Sequence, residues 1–200
     1  KCYWFLEMEA YEGLDHLERV VPNGFIELTF HFGDHLQKIK HTKELQPGII
    51  LSGQKTGFFD VLPTGKTQML SIQFFPHSAG LFFDMPMDKL SNETLDLGEI
   101  LGGAARDLEE QLLHLQTLEQ RVQHIERFLL RRLARKTEYE WARMVQNITL
   151  INRTNGKITL DELADGACLS RKQHERVFKK FVGLSPKQYL KIIRFQYTLF

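Results

Sequence analysis

Residues 158–195 read ITLDELADGACLSRKQHERVFKKFVGLSPKQYLKIIRF. Three Ser/Thr residues in this stretch are each followed, three positions on, by Glu or Gln: Thr159 by Glu162, Ser170 by Gln173, Ser185 by Gln188. Each pair is a capping box, in which the hydroxyl accepts from the third helical N–H and the longer side chain accepts from the cap N–H. Pro186 follows Ser185, at a first helical position where its fixed φ is already helical and its missing N–H is not needed. The spacing predicts three consecutive helices within 159–199. The first covers Leu160 to Asp165, a tight turn covers Gly166 to Leu169, and the second helix covers Arg171 to Val182. Short helix, tight turn and second helix have the length and spacing of a helix-turn-helix. At 3.6 residues per turn, His174, Val177, Phe178 and Phe181 share one face of the second helix. Arg171, Lys172, Glu175, Arg176 and Lys179 lie largely on the other. A helix apolar on one side and basic on the other suits the major groove of DNA. Its N-terminus, at Ser170, offers free N–H groups to a phosphate.

Upstream, Trp141, Met144, Val145, Ile148 and Ile151 fall at helical spacing, and Gly156 is free to take the left-handed cap that ends this helix. Before that lie two further stripes, Leu108–Leu112–Leu115 and Val122–Ile125–Leu129–Leu133. Thr117 and Gln120 form a capping box at their join, so two helices are predicted rather than one. Either they pack on the rest of the chain or they pair with a second subunit. Arg131, Arg132, Arg135 and Lys136 close the second of them, where positive charge suits the helix dipole. Toward the N-terminus the period changes to two. Phe25 to Phe32, Ile49 to Leu51, Gly57 to Leu62 and Met69 to Phe75 read as strands, separated by Pro22-Asn23-Gly24, Gly33-Asp34, Pro47-Gly48 and Pro63-Thr64-Gly65. The expected class is α+β. Residues 1–98 form an antiparallel β-sandwich or cupin-like barrel able to hold a small ligand. Residues 99–136 form a helical connector, and residues 137–200 a partial helix-turn-helix domain.

The net charge of +1 hides an asymmetry. Residues 1–120 hold 9 Lys/Arg against 18 Asp/Glu, whereas residues 121–200 hold 17 against 7. A basic C-terminal part on a neutral chain points to a polyanionic partner for that part, or to attraction between the two halves. No apolar run of about 18 residues is present, so no membrane span is expected, and no signal peptide is visible. Cys2 and Cys168 form no metal or redox spacing, which fits a reduced, cytoplasmic protein.

Within the quoted stretch, Leu163-Ala164, Leu169-Ser170, Arg176 to Lys180, Gly183 to Pro186, Tyr189-Leu190 and Arg194 resemble the first DNA-binding motif of the AraC/XylS transcription regulators. Residues 20–105 are more loosely similar to a β-rich sensor subfamily of these regulators, through Pro22 to Leu28, Gly33-Asp34, Gly53-Gln54, Pro63 to Gly65 and Phe74 to Pro76. The resemblance implies a DNA-binding regulator with a recognition helix after Ser170. Base- and phosphate-facing positions would be Arg171, Lys172, Gln173, Glu175, Arg176 and Lys179, with Ser185 and Lys187 near the backbone. It further implies a small-molecule effector in the β domain, a homodimer through the connector, and double-stranded DNA as partner. Arg176 and Arg171 would donate bidentate hydrogen bonds to guanine. Lys179 and Lys187 would neutralise phosphate. Glu175 would accept from cytosine or pair with Lys172 or Lys179. The sequence departs from the family at His174, where a buried Leu is usual, and at Cys168, where Gly is usual. The family carries two such motifs, and this chain stops at Phe200 within the matching linker helix; it reads either as a truncated chain or as a natural fragment, and a single module, making fewer phosphate contacts, should have a much reduced specific affinity.

No catalytic, cofactor or metal site is expected. His31, His35 and His41 cluster without the His-x-His and Glu arrangement of a cupin metal site. Gly98 to Gly103 lacks the Lys-Ser/Thr of a phosphate loop and reads as a helix start or interhelical turn. Asp60, Asp84 and Asp88 read as solvated loop charges. Phe58, Phe59, Phe74, Phe75, Phe82 and Phe83 read as core or sheet cover, one or two of them lining a ligand pocket. Two alternatives stand beside the regulator: a cupin-like enzyme, and a protein-interaction module with a basic helical tail.

Overall fold

The computed structural model describes residues 2–9, 17–39, 43–133 and 139–199. Arg135, Lys136 and His41 lie outside them. Nine strands come first among the described residues: β1 (Cys2–Glu9), β2 (Glu18–Val20), β3 (Ile26–His31), β4 (Leu36–Ile39), β5 (Lys43–Leu45), β6 (Ile49–Ser52), β7 (Phe59–Pro63), β8 (Lys66–Phe74) and β9 (Thr94–Asp96). Seven α-helices follow: α1 (Leu97–Leu101), α2 (Gly103–Leu113), α3 (Leu118–Arg132), α4 (Tyr139–Arg153), α5 (Leu160–Gly166), α6 (Arg171–Val182) and α7 (Pro186–Leu199). No helix among the described residues is long and apolar enough to cross a membrane.

The strands form two antiparallel sheets, ordered β1-β8-β3-β6-β9 and β2-β7-β4-β5. In the larger sheet β3 and β8 are central, and alternation sends their side chains to two different layers. Ile26, Leu28 and Phe30, with Leu70, Ile72 and Phe74, pack against Leu97, against Leu108 and Leu112 of α2, and against Ile125 and Leu129 of α3. Thr29, His31, Met69 and Ser71 alternate to the other face, where Met69 meets Leu36 and Val61 of the smaller sheet. The two hydroxyls buried there satisfy each other, Thr29 Oγ1 lying 2.9 Å from Ser71 Oγ. The β-body is therefore three layers: helices, large sheet, small sheet. The connector helices pack on it, and Tyr3 Oη fixes α3 further by donating to Glu126 at 2.8 Å.

Three expectations are corrected. The sheets do not close into a barrel: among the described residues no ladder joins them, and β1, β9, β2 and β5 stand as open edges. Asp60 is not a solvated loop charge; it sits on β7 and takes a bidentate contact from Arg19, at 2.8 and 3.0 Å. Phe74 and Phe83 are core, but Phe58 and Phe75 are more than half exposed.

Helices α4–α7 enclose a second core, built on Met144, Ile148, Leu163, Phe178, Tyr189 and Leu190. This module is docked on the β-body. The buried Gln54 carboxamide donates to the Val182 carbonyl at 2.7 Å, the Trp141 indole donates to the His77 carbonyl at 3.1 Å, and Gln196 donates to the Pro22 carbonyl. Gly183 ends α6 with φ at +94°, and a β-carbon there would meet the Met87 carbonyl oxygen at 2.9 Å. Left-handed backbone and close approach coincide at this residue. Gly183→Ala should cost about 1–2 kcal/mol from the backbone alone, and more once Met87 is displaced. Urea denaturation checks this against Gly166→Ala, a helical position with open space, where a gain of up to about 1 kcal/mol is expected.

Candidate nucleic-acid interface

The three predicted capping boxes, at the starts of α5, α6 and α7, are all present. Thr159 accepts from the Glu162 N–H at 3.2 Å, Ser170 from the Gln173 N–H at 3.4 Å, and Ser185 from the Gln188 N–H at 3.3 Å. In return, Glu162 accepts from the Thr159 N–H at 2.8 Å, Gln173 from the Ser170 N–H at 3.2 Å and Gln188 from the Ser185 N–H at 3.0 Å. The polar ends of Ser170, Gln173 and Ser185 are thus engaged in holding helix starts.

The turn between α5 and α6 is closed by backbone bonds from Cys168 to the Asp165 carbonyl and from Leu169 to the Ala164 carbonyl. Cys168 has φ at +52°, which is why glycine is the easier residue at this corner. Beyond the turn, His174, Val177, Phe178, Phe181 and Val182 are buried. His174 is only 2% exposed and holds a polar relay: its Nε2 lies 2.5 Å from Asn147 Oδ1, and Asn147 Nδ2 donates to the Leu163 carbonyl at 3.3 Å. The acceptor Oδ1 makes Nε2 the protonated nitrogen of the neutral ring. One chain of hydrogen bonds therefore ties α6 to α4 and α5. Sequence reasoning passed over Asn147, although an Asn falling in step with Met144, Ile148 and Ile151 on an apolar stripe is itself the signal of a buried polar partner.

The opposite face of α6 is open. Arg171, Lys172, Gln173, Glu175 and Arg176 are exposed, Lys179 is half-buried, and Lys187 is exposed at the start of α7. Their electrostatic situations differ. Arg171 makes a bidentate contact with Asp161 of α5, which holds the guanidinium pKa above its ordinary value. Glu175 pairs with Lys179 at 2.8 Å, an i,i+4 contact that lowers the Glu175 pKa. Lys172 and Arg176 have no ion pair or hydrogen-bond partner among the described residues. Being four apart, they present two uncommitted cations on one face of the helix. Lys172 was expected as one possible partner of Glu175; Lys179 takes that place.

Residues 1–96 match a protein family described only as a domain of unknown function, DUF6597. No curated protein sequence matches the chain. Among solved structures, the chain is similar to the AraC-like transcriptional activator CuxR, at 13% identity over 89% of this chain and 68% of that one, with a TM-score of 0.30. It is similar also to ToxT from Vibrio cholerae strain SCE256 with an unsaturated fatty acid bound, at 8% identity over 96% of this chain and 95% of that one, with a TM-score of 0.33. A further ToxT structure, from Vibrio cholerae O395 with a methylnaphthalenyl butenoic acid, gives 11% identity over 96% and 100%, and a TM-score of 0.29. Superpositions this weak assign neither fold nor function.

Burial lowers the His174 pKa in the folded chain, and it lowers those of His31 and His77 to about 4. Between the folded and unfolded pKa values the unfolded chain binds more protons, so stability is full above pH about 6.5 and falls as the pH drops through that range. For His174→Gln we expect a loss at pH 7.5 that shrinks toward pH 5.5, by up to about 1.4 kcal/mol per pH unit. Urea denaturation at the two pH values measures it; a difference independent of pH would show that His174 is not the titrating group.

Proposed function

We propose that this chain is a DNA-binding transcriptional regulator of the AraC type, cytoplasmic and not an enzyme. In this reading α5, the turn and α6 form a helix-turn-helix, and α6 enters the major groove of double-stranded DNA. The supporting observation is the uncommitted pair Lys172 and Arg176 on the exposed face of a helix whose other face is buried. Arg176 is the principal base reader, able to make the bidentate contact to guanine that an arginine fork matches. Lys172 joins it in place of Arg171, because Arg171 must first leave Asp161. Lys179 and Lys187 neutralise phosphate, and Ser170, Gln173 and Ser185 serve by holding helix N-termini toward the backbone. Glu175 acts by positioning Lys179. The β-body senses a small-molecule effector between its sheets. A homodimer forms through α3, whose Leu118 and Leu130, with Leu133 just beyond, are exposed.

Selection of random-sequence DNA by the 200-residue chain tests the reading. A preferred site is expected. Arg176→Ala should weaken binding about 5- to 150-fold, the equivalent of 1–3 kcal/mol, and relax selectivity at one base position. Lys179→Ala should weaken all sequences about equally and reduce the salt slope by about 1. Salt-sensitive binding without any preference would favour the protein-interaction alternative, and an Arg176→Ala chain unchanged in affinity and preference would remove that side chain from the interface. For the dimer, sedimentation equilibrium should give twice the chain mass, and Leu130→Glu should return it to the monomer; a wild-type monomer at micromolar concentration sinks the dimer.

A further inference from the structure

The helical connector carries a second concentration of cations, away from α6. Helices α2 and α3 are joined by four residues and pack together on the large sheet. Between them runs an open groove of about 230 Å³. Its α3 wall bears His124, Arg127 and Arg131, spaced three and four apart and so stacked on one face of that helix. Both arginines are exposed and lack a carboxylate partner. Arg127 uses only its Nε, donating to the Gln123 carbonyl at 3.3 Å, and Arg131 has no hydrogen-bond or ion-pair partner among the described residues. Their charges meet at the imidazole: burial, Arg127 and Arg131 together hold the His124 pKa below its ordinary value.

The α2 wall is positive where it starts. Ala104 lines the groove from the first turn of α2, a turn that contains no acidic residue and whose cap, Gly102, supplies no side-chain acceptor. The positive end of the helix dipole is therefore uncompensated there. One negative group stands against these charges. Asp107, exposed on α2, lines the same groove and makes no ion pair among the described residues, and Gln111 follows it one turn on. The two walls ask for different chemistry. Guanidinium forks match a phosphate in bidentate fashion, whereas a carboxylate repels a bare anion but accepts from hydroxyl groups, as a carboxamide oxygen does. The volume lies below the roughly 300–1,000 Å³ of drug-sized sites, which limits the ligand to a few carbons.

We propose that the α2–α3 groove binds a small hydroxylated phosphate monoester, its phosphate on Arg127 and Arg131 and its hydroxyls toward Asp107 and Gln111. Neither wall belongs to the α4–α7 module, so the site stands or falls separately from what α6 binds.

Titration calorimetry of the 200-residue chain tests it, with glycerol phosphate, inorganic phosphate and glycerol as probes. Glycerol phosphate should saturate one site, inorganic phosphate should bind about tenfold more weakly for want of a hydroxyl contact, and glycerol should give no response. Arg127→Gln and Arg131→Gln should each weaken glycerol phosphate about tenfold, the scale of one charge-assisted hydrogen bond. Arg106→Gln removes the same charge from an exposed α2 position outside the groove and should change the affinity less than about twofold, because screening weakens a distant charge. Asp107→Ala should tighten inorganic phosphate and abolish the preference for glycerol phosphate. Circular dichroism checks that each of these surface variants is folded. Absence of saturation overturns the site. Equal losses in Arg106→Gln and Arg127→Gln overturn it too, since net charge alone would then attract the anion. Inorganic phosphate binding as tightly as glycerol phosphate overturns the ligand class. Loss of DNA binding in Arg131→Gln with glycerol phosphate binding unchanged assigns that arginine to a nucleic-acid surface and overturns its role here.

Discussion

The apolar stripe of α6 constrains the whole C-terminal module. His174, Val177, Phe178 and Phe181 must all be covered, and at 100° per residue only one rotation of the helix covers them together. A large apolar side chain gains about 1.5–3 kcal/mol on full burial, so the rotation is held firmly. Positions 171, 172, 175 and 176 are then outward whatever residues occupy them. The cationic surface is the complement of a packing solution. This is why its location follows from hydrophobic spacing, while its chemistry depends on which side chains stand there and what they already touch.

That division marks what could be read from the residues alone. Helix ranges in 159–199 were legible because capping is a local exchange between positions three apart, written in the order of the residues. The strands β3, β6, β7 and β8 were legible from alternation and turn residues. The edge strands β1, β2, β5 and β9 were not, because a strand covered on few sides need not show a clean pattern; β1 alternates only between exposed and half-exposed. Closure of the barrel was not legible either, since it depends on whether distant edges find a partner. Within the site, exposure of Arg171 and Arg176 was readable, but their difference was not. Asp161 lies ten positions before Arg171 and reaches it only because the turn at Cys168 brings α5 back alongside α6. The departure at His174 looked isolated in the sequence; it is half of a relay whose other half, Asn147, lies 27 residues earlier.

The seam between the two cores carries unusual polarity for a packed interface. Gln54 is 1% exposed, donates through Nε2 to Val182, and leaves its Oε1 without a partner among the described residues. An apolar residue of similar size would avoid that unmatched oxygen. What the amide supplies instead is direction: a hydrogen bond to the last carbonyls of α6 fixes where the helix ends, whereas apolar contacts permit sliding. Gly183 acts with it, its missing β-carbon letting the Met87 backbone close on the same helix end.

α6 is held at both ends: by Gln54 and Gly183 at its C-terminal end, and by the His174–Asn147 relay and the Arg171–Asp161 contact nearer its N-terminal end. Its 12 residues span about 18 Å at 1.5 Å per residue. Lys172 and Arg176 lie toward the N-terminal end, and Val182, Phe181 and Lys180 toward the C-terminal one at the seam. A change at Gln54 or Gly183 therefore loosens the end of α6 away from Lys172 and Arg176, while the relay at His174 still sets the rotation that turns those two cations outward.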